Sequence, residues 1–472
     1  MAKHTVPGKF FFCVVTCLSA VVSTYGQFSD KAKTGYLPDA AEEHWLVIND
    51  SVKVTRFIDR IKHLPINHKK GFIGVGINIR EGYELFGNYL WGMGPQDNNG
   101  YFLHRLLLHS HFSWNEHVRL FAELESSAIS GRNGGPRPIQ DLNKMAMNQF
   151  FGEINFSVSK DKRTMFHFRF GKQSLNYGIG TLLDIRDANV RRSFAGGKLI
   201  LEKQSLKLDG FFMLPVTVRE GAFDDKIDHS QKVAGVWGTK TFYKKTLNRL
   251  DLYYIYINRD KTRFGQETGR ETRNTIGVAT SLRKHNWFSY CEADLQFGKF
   301  NGGNIRAWKI APSVGYQAKS LKLQPVFTVQ GAISSGDKDS SDNGLQTFNP
   351  LFPKAIYYGY IDNAGSANLI VVHPKIELLF FKRLLVTAGY YRFWRQQSSD
   401  GLYAINGSNL LPASNEKKSV GRMWDVLLTY PVKNHVVLQL MGSYYKQGEF
   451  LKEQPQLKGD IRYAGIKLTV RI

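Results

Sequence analysis

The sequence predicts an all-β protein, a transmembrane antiparallel β-barrel, on three observations. Polar and apolar residues alternate over most of 71–472. Aromatic residues make up 13% of the chain. Beyond the N-terminus no segment is apolar enough for a membrane helix. A strand turns successive side chains to opposite faces, so alternation builds one oily and one polar surface. In a membrane barrel the oily surface meets lipid and the polar one lines the lumen. At roughly 22–25 residues per strand and connection, the chain allows roughly 16–20 strands, and bacterial barrels close with an even number. Closure also removes the sheet edges that an open sheet leaves exposed. A secreted β-sandwich array would need domain boundaries, and the sequence offers none.

The chain opens with the pattern of a secretory signal over residues 1–26. Lys3 and Lys9 form a charged start, Phe10 to Val22 a short apolar run, and Ser23, Thr24 and Gly26 a small-residue site before Gln27. That run is shorter than the roughly 20 apolar residues of a membrane span. Residues 27–70 are polar and irregular, with a short helix expected around 51–61, and read as a periplasmic lead-in. The barrel is expected over 71–472.

The first strand sets Ile73, Val75, Ile77 and Ile79 against Gly74, Gly76, Asn78, Arg80 and Glu84. The next places Leu106, Leu108 and Phe112 opposite Arg105, His109 and His111. The third opposes Val118, Leu120, Ala122 and Leu124 to Arg119, Phe121, Glu123 and Glu125, and the fourth sets Phe150, Ile154 and Phe156 against Gln149, Glu153 and Asn155. In the fifth, Phe166, Phe168 and Phe170 flank His167 and Arg169. An arginine on the lipid face at the bilayer midplane costs roughly 2–4 kcal/mol, so Arg169 is predicted to point inward. Later strands follow: Leu206, Leu208, Phe212 and Leu214 against Lys207 and Asp209, Ile376, Leu378 and Phe380 against Lys375 and Glu377. A strand is also predicted over 321–330, with Pro325, which has no ladder donor, marking a bulge or strand end. At the C-terminus Ile466, Leu468, Val470 and Ile472 oppose Lys467, Thr469 and Arg471.

The formal charge is +23, from 63 Lys and Arg against 40 Asp and Glu. Such an excess favours an acidic partner. Export argues against nucleic acid, and anionic lipopolysaccharide at the rims accounts for part of the excess. Of the 3 cysteines only Cys291 lies beyond the leader, so no intramolecular disulfide is expected. Cys291 alternates in phase with Trp287, Ser289, Ala293, Leu295 and Phe297, which predicts a lipid-facing thiol.

Asp337, Asp339 and Asp342 do not have the spacing of an EF-hand loop and read as a solvated connection. The 13 histidines show no metal spacing, and His109 and His111 read as polar lumen residues. No Gly-x-Ser-x-Gly elbow, Walker loop or His-Glu-x-x-His motif is present. No metal, cofactor or catalytic residue is expected.

Several blocks resemble the alginate-export family of outer-membrane porins. The strongest is Arg169–Gly197, RFGKQSLNYGIGTLLDIRDANVRRSFAGG, similar to that family's G-[RK]-Q-x-L-x-Y-G, D-x-R-D and R-x-S-F-D-G segments. Tyr101–Ser127, Asp141–Ile154, Ser335–Tyr360 (with SGD and FNPLFP), Arg392–Tyr403 (with FWR and DGLY) and Gly421–Gly448 follow in consistent order. Ala195 departs from the pattern, which often carries an acid after Ser-Phe.

The resemblance implies a monomeric barrel of about 18 strands with a narrow cationic lumen that passes an acidic polysaccharide, gated by loops at either end and possessed of periplasmic export partners. On that reading Arg80, Arg105, Arg119, Arg169, Arg186 and Arg191 line the conduit, with Lys375, Arg395, Lys467 and Arg471 from later strands. Glu84, Glu123, Glu153, Asp184 and Asp187 would pair with them and weaken each site. A planar guanidinium binds carboxylates bidentately and stays charged, and several weak sites let a polymer leave where one deep site would trap it. The phase of Arg186, Arg191 and Arg192 is left open by the pattern, since DIRDANVRRS suits a loop folded into the pore. The same arginines would also serve a porin for small anions, or only brace the wall. A barrel enzyme acting on lipid or glycan is the remaining alternative.

Overall fold

A computed structural model describes residues 36–43 and 60–472, apart from 68–69, 98, 116, 159–162, 243–247, 266, 340 and 357. The predicted leader, and most of the helix expected around 51–61, lie outside the described residues.

Eighteen antiparallel strands form one closed barrel. Each pairs with its sequence neighbours, and the first, Gly71–Gly87, closes on the last, Ile461–Arg471, in the register Asn78 opposite Arg471 through Gly87 opposite Arg462. No helix among the described residues is long and apolar enough to cross a membrane, which says nothing of the strands. Connections at one end are short, such as 204–205, 285–286 and 434–435. Those at the other end run long, over 174–193, 335–368 and 396–418. In outer-membrane barrels the short turns are periplasmic and the long loops extracellular.

The faces divide as the alternation requires. Phe150, Ile154, Phe168, Phe170, Leu208 and Phe212 are exposed on the outside, while Arg80, Arg105, Arg119, Glu123, Glu153, Arg169 and Asp209 are buried inside. Cys291 is exposed, on the outward face with Leu295 and Phe297. One predicted strand is corrected. Residues 321–324 form a turn, and the strand begins at Val326, immediately after Pro325. Pro325 offers no N–H to a ladder, so pairing starts beyond it.

Gly171, inside the strongest sequence block, has φ +137, and a Cβ there would lie 2.3 Å from the Phe150 carbonyl oxygen. The strand therefore requires glycine at that point, shortly before connection 174–193 begins.

Candidate functional site

The interior is occupied by chain rather than left as an open hole. Connection 174–193 turns back into the barrel and carries Asp187 to the first two barrel strands, Gly71–Gly87 and Tyr101–Trp114. Arg105 donates from Nη1 to Asp187 Oδ1 at 2.7 Å and to the Ala188 carbonyl at 2.8 Å. Arg80 binds the other carboxylate oxygen at 2.5 Å and the Asp187 carbonyl at 3.1 Å. Arg191 reaches Asp187 Oδ1 at 3.4 Å and Glu123 at 3.8 Å, and its backbone N–H donates to Glu125 at 3.0 Å. One carboxylate thus gathers three guanidinium groups.

A second cluster lies beside it. Arg169 donates from Nε to Glu153 at 2.6 Å and from Nη1 to Glu42 at 2.9 Å, with its guanidinium 4.4 Å above the Phe151 ring. Arg119 donates to the Ala41 carbonyl at 2.5 Å. Lys62 pairs with Glu43 at 3.1 Å and donates to His109 at 2.7 Å. Residues 36–43 therefore stand inside the barrel, where the sequence reading had expected a periplasmic lead-in. Glu42 finds Arg169 on the inner wall, and Glu43 finds Lys62 of the lead-in.

The remaining predicted residues are dispersed. Lys375 pairs with Glu377 at 2.9 Å across the opposite wall. Lys467 and Arg471 flank the closing seam, facing Gly82 and Asn78 in register, with no ion pair among the described residues. Glu84 accepts from the Tyr101 hydroxyl at 2.8 Å and pairs with Arg137 at 3.5 Å. Asp184 accepts from the Arg186 N–H at 2.7 Å. Arg186 has φ +49 and donates to the Ile139 carbonyl at 2.6 Å, which ties two connections together.

Arg395 is corrected from conduit to brace. It is fully buried at a strand end, 3.9 Å above the Phe450 ring, and donates to the carbonyls of Lys417, Ser398, Asp400 and Asn415. Its donors fasten the long connections together and leave none for the lumen.

Sequence reasoning missed a further polar group across the barrel. Arg273 pairs with Glu271 at 2.5 Å and donates to Gln296 at 2.8 Å, and Lys309 is held between Glu292 at 2.5 Å and Asp294 at 2.9 Å. The same alternation that exposed Arg169 was available there, since Glu271, Arg273, Glu292 and Asp294 fall on one phase of their strands. Around them connections 174–193 and 335–368 meet: the Asp184 N–H donates to the Phe352 carbonyl at 3.0 Å, and the Phe352 N–H to Leu182 at 2.8 Å. Leu182, Leu183, Phe348 and Phe352 pack with Phe211, Trp237 and Ile255 of the wall as an apolar plug.

Between this plug and the far wall remains a cavity of about 180 Å³. Lys354, Lys375, His373, Tyr358, Tyr360 and Tyr391 line it, pairing cations with flat aromatic surface. Further out, Asp400 accepts from the Asp337 N–H at 2.9 Å and from Thr347 and Tyr403 at 2.6 Å each. Burial pushes the Asp337 carboxyl up to about 6, aided by the nearby Asp400, Asp342 and Asp339 charges. Burial likewise raises Asp400.

The geometry is that of a channel wall with inward-folded loops, and comparison with known proteins agrees. The alginate export family profile matches residues 73–464. This chain belongs to the alginate export family. Members with this fold are bacterial outer-membrane channels, so the barrel resides in that membrane. Among curated proteins none matches the sequence. Solved structures of similar fold include Acinetobacter baumannii OccAB1, with a TM-score of 0.57 and 12% identity over 87% of this chain and 98% of that one. A BenF-like porin from Pseudomonas fluorescens Pf-5 gives 0.57 and 11%, over 85% and 98%. Pseudomonas aeruginosa OpdK, solved with vanillate, gives 0.56 and 10%, over 85% and 98%. At these identities the likeness to the alginate export barrel is one of fold.

Proposed function

We propose that this alginate export barrel conducts an anionic polysaccharide, alginate-like, or its oligomers, by passing carboxylates between interior arginines and lysines. The observation that carries this reading is the file of interior cations Arg80, Arg105, Arg119, Arg169 and Arg191, each within one residue's reach of a carboxylate or carbonyl supplied by a loop or by residues 36–43. Those partners are exchangeable: a polymer carboxylate offers the same acceptor geometry. Lys467 and Arg471, facing Gly82 and Asn78 across the closing seam on either side of Arg80, extend the file onto the last strand. Because Arg80, Arg105, Arg169 and Arg191 already share protein carboxylates, none of these sites is deep enough to hold the polymer, which is the condition for passage. Lateral loops must move for a chain of sugars to traverse the barrel, since the lumen at rest is filled.

The test is planar-bilayer recording with polyuronate oligomers of defined length added to one side. Concentration-dependent current block that lengthens with chain length, and is absent with neutral glucans of equal size, is expected. Equal block by neutral and acidic polymers would overturn the reading.

A second reading, a porin for small acids, is favoured by the partly open cavity around Lys354 and Lys375, whose size suits one sugar-sized or aromatic carboxylate. It predicts that small carboxylates permeate while oligomers longer than a few sugars neither enter nor block.

A further inference from the structure

We propose that residues 36–43, Tyr-Leu-Pro-Asp-Ala-Ala-Glu-Glu, are a ligand held in cis: an acidic peptide that fills the pore's own anion-binding site and yields it to incoming polyanion. The inference rests on the interior basic residues being anion sites, as proposed above, and adds what occupies them at rest.

Three features argue for a ligand rather than a plain brace. First, the segment is matched group by group to its surroundings: the wall, connection 174–193 and Lys62 of the lead-in. Glu42 meets Arg169 at 2.9 Å, Glu43 meets Lys62 at 3.1 Å, and the Pro38 and Ala41 carbonyls accept from Arg191 and Arg119 at 2.5 Å each. Asp39 accepts from Gln149 at 3.0 Å and from the Ser174 hydroxyl. Second, Arg119 forms no ion pair among the described residues. Its guanidinium lies 5.7 Å from both the Phe121 and the Phe151 ring and is satisfied by the Ala41 carbonyl, an acceptor that a carboxylate would outcompete. Third, the hold is polar. Its apolar contacts are small: Ala41 is buried with Phe121 and Phe151, Ala40 packs beside them, and Tyr36 meets the His435 ring edge-on, so little apolar surface fixes the segment in place. A contact made of charge-assisted hydrogen bonds is exchangeable for another anion, whereas a packed apolar plug is not.

The three acids between Asp39 and Glu43 present negative charge at close intervals, as a polyuronate does. The wall, connection 174–193 and the lead-in supply Arg119, Arg169, Arg191 and Lys62 around them, against the wall acids Glu123 and Glu153. Withdrawal of the segment leaves that part of the interior with excess positive charge, which is the state that attracts an anionic chain.

The experiment uses the full chain in planar bilayers with two variants: the triple substitution Asp39→Asn, Glu42→Gln, Glu43→Gln, and replacement of residues 36–43 by a Gly/Ser run of equal length. Heat-modifiable gel mobility checks that both barrels fold. Conductance at least two-fold above the parent is expected in both variants, together with block of the Gly/Ser variant by the synthetic peptide YLPDAAEE that weakens with salt. Folded variants that conduct like the parent, or a Gly/Ser channel blind to the peptide, overturn the proposal. A channel opened by both variants and blocked by peptide, yet indifferent to polyuronate, keeps the cis ligand and removes the polysaccharide reading.

Discussion

Arg105 and Asp187 stand 82 positions apart in sequence and meet at 2.7 Å inside the barrel, so one loop carboxylate is pinned to the strand Tyr101–Trp114. Arg80 and Arg191 share the same acid. Three like charges so close are tolerable only while the carboxylate sits between them. The clamp therefore decides both where connection 174–193 lies and how much positive charge the lumen presents.

Asp187→Asn should release that connection. Three guanidinium groups would then repel one another without a counter-charge, and the loop would lift toward solvent. Removing one partner of a fully buried pair costs roughly 3–5 kcal/mol. The Asp187 side chain is 35% exposed, so a smaller loss, about 1–3 kcal/mol, is expected from urea unfolding in detergent or lipid. Single-channel recording should show higher conductance and stronger anion preference. A variant with parent stability and parent currents would remove the clamp.

Charge reversal tests the interior arginines directly. Arg169→Glu places a carboxylate beside Glu153 and Glu42, and Arg105→Glu places one beside Asp187. The double variant should shift the reversal potential in a salt gradient toward cations. The shift should shrink as ionic strength rises, because mobile ions screen each fixed charge over about 8–10 Å near physiological salt. An unchanged reversal potential would show that these side chains do not face the permeating ions.

The strand faces were legible in the sequence because lipid imposes a binary rule with a large penalty. Arg169 between Phe168 and Phe170 had one affordable orientation. Pairing partners were not legible: Arg169 and Glu42 are separated by 127 positions, and no local pattern joins them. Interior apolar packing was hidden as well. Tyr253, Ile255 and Ile257 face inward to meet the loop plug, while Leu252 and Tyr254 face outward, so that strand is apolar on both sides and its period is blurred. Arg395 looked like another wall arginine because its alternation is regular. Only the carbonyls of 398–417, brought round by a long connection, reveal it as a brace.

Acidification should tighten the extracellular connections. Asp337 is raised to about 6 in the folded chain, above the roughly 3.9 of an unfolded aspartate. Between those values the folded form binds more protons than the unfolded form, so its stability falls as pH rises from about 4 through about 6. Going from pH 7 to pH 5 should therefore stabilise the contact of 335–368 with 396–418. After allowance for solvent screening the gain is no more than about 1 kcal/mol. Protease nicking of the 335–368 connection should slow at pH 5 with an acid-tolerant protease, relative to an unstructured control substrate. Asp337→Asn should flatten that dependence, and an equal slope in the variant would place the titration elsewhere.

Phe168 provides the sharpest check on which side of the wall is lipid. It lies opposite Ile154 on one neighbouring strand and Leu199 on the other, and all three are exposed on the outer surface. Phe168→Arg puts a guanidinium into hydrocarbon at a cost of roughly 2–4 kcal/mol if the site is near the midplane, falling toward zero at the interfaces. Phe168→Leu keeps the apolar surface and should cost under about 1.5 kcal/mol. Asn155→Arg, on the inner face one residue from Ile154, adds a cation where water and Glu153 can meet it and should cost far less than Phe168→Arg. Reversible folding into lipid vesicles measures all three. If the arginine at 155 proves the costlier of the two, the faces are assigned the wrong way round, and the interior file of cations goes with them.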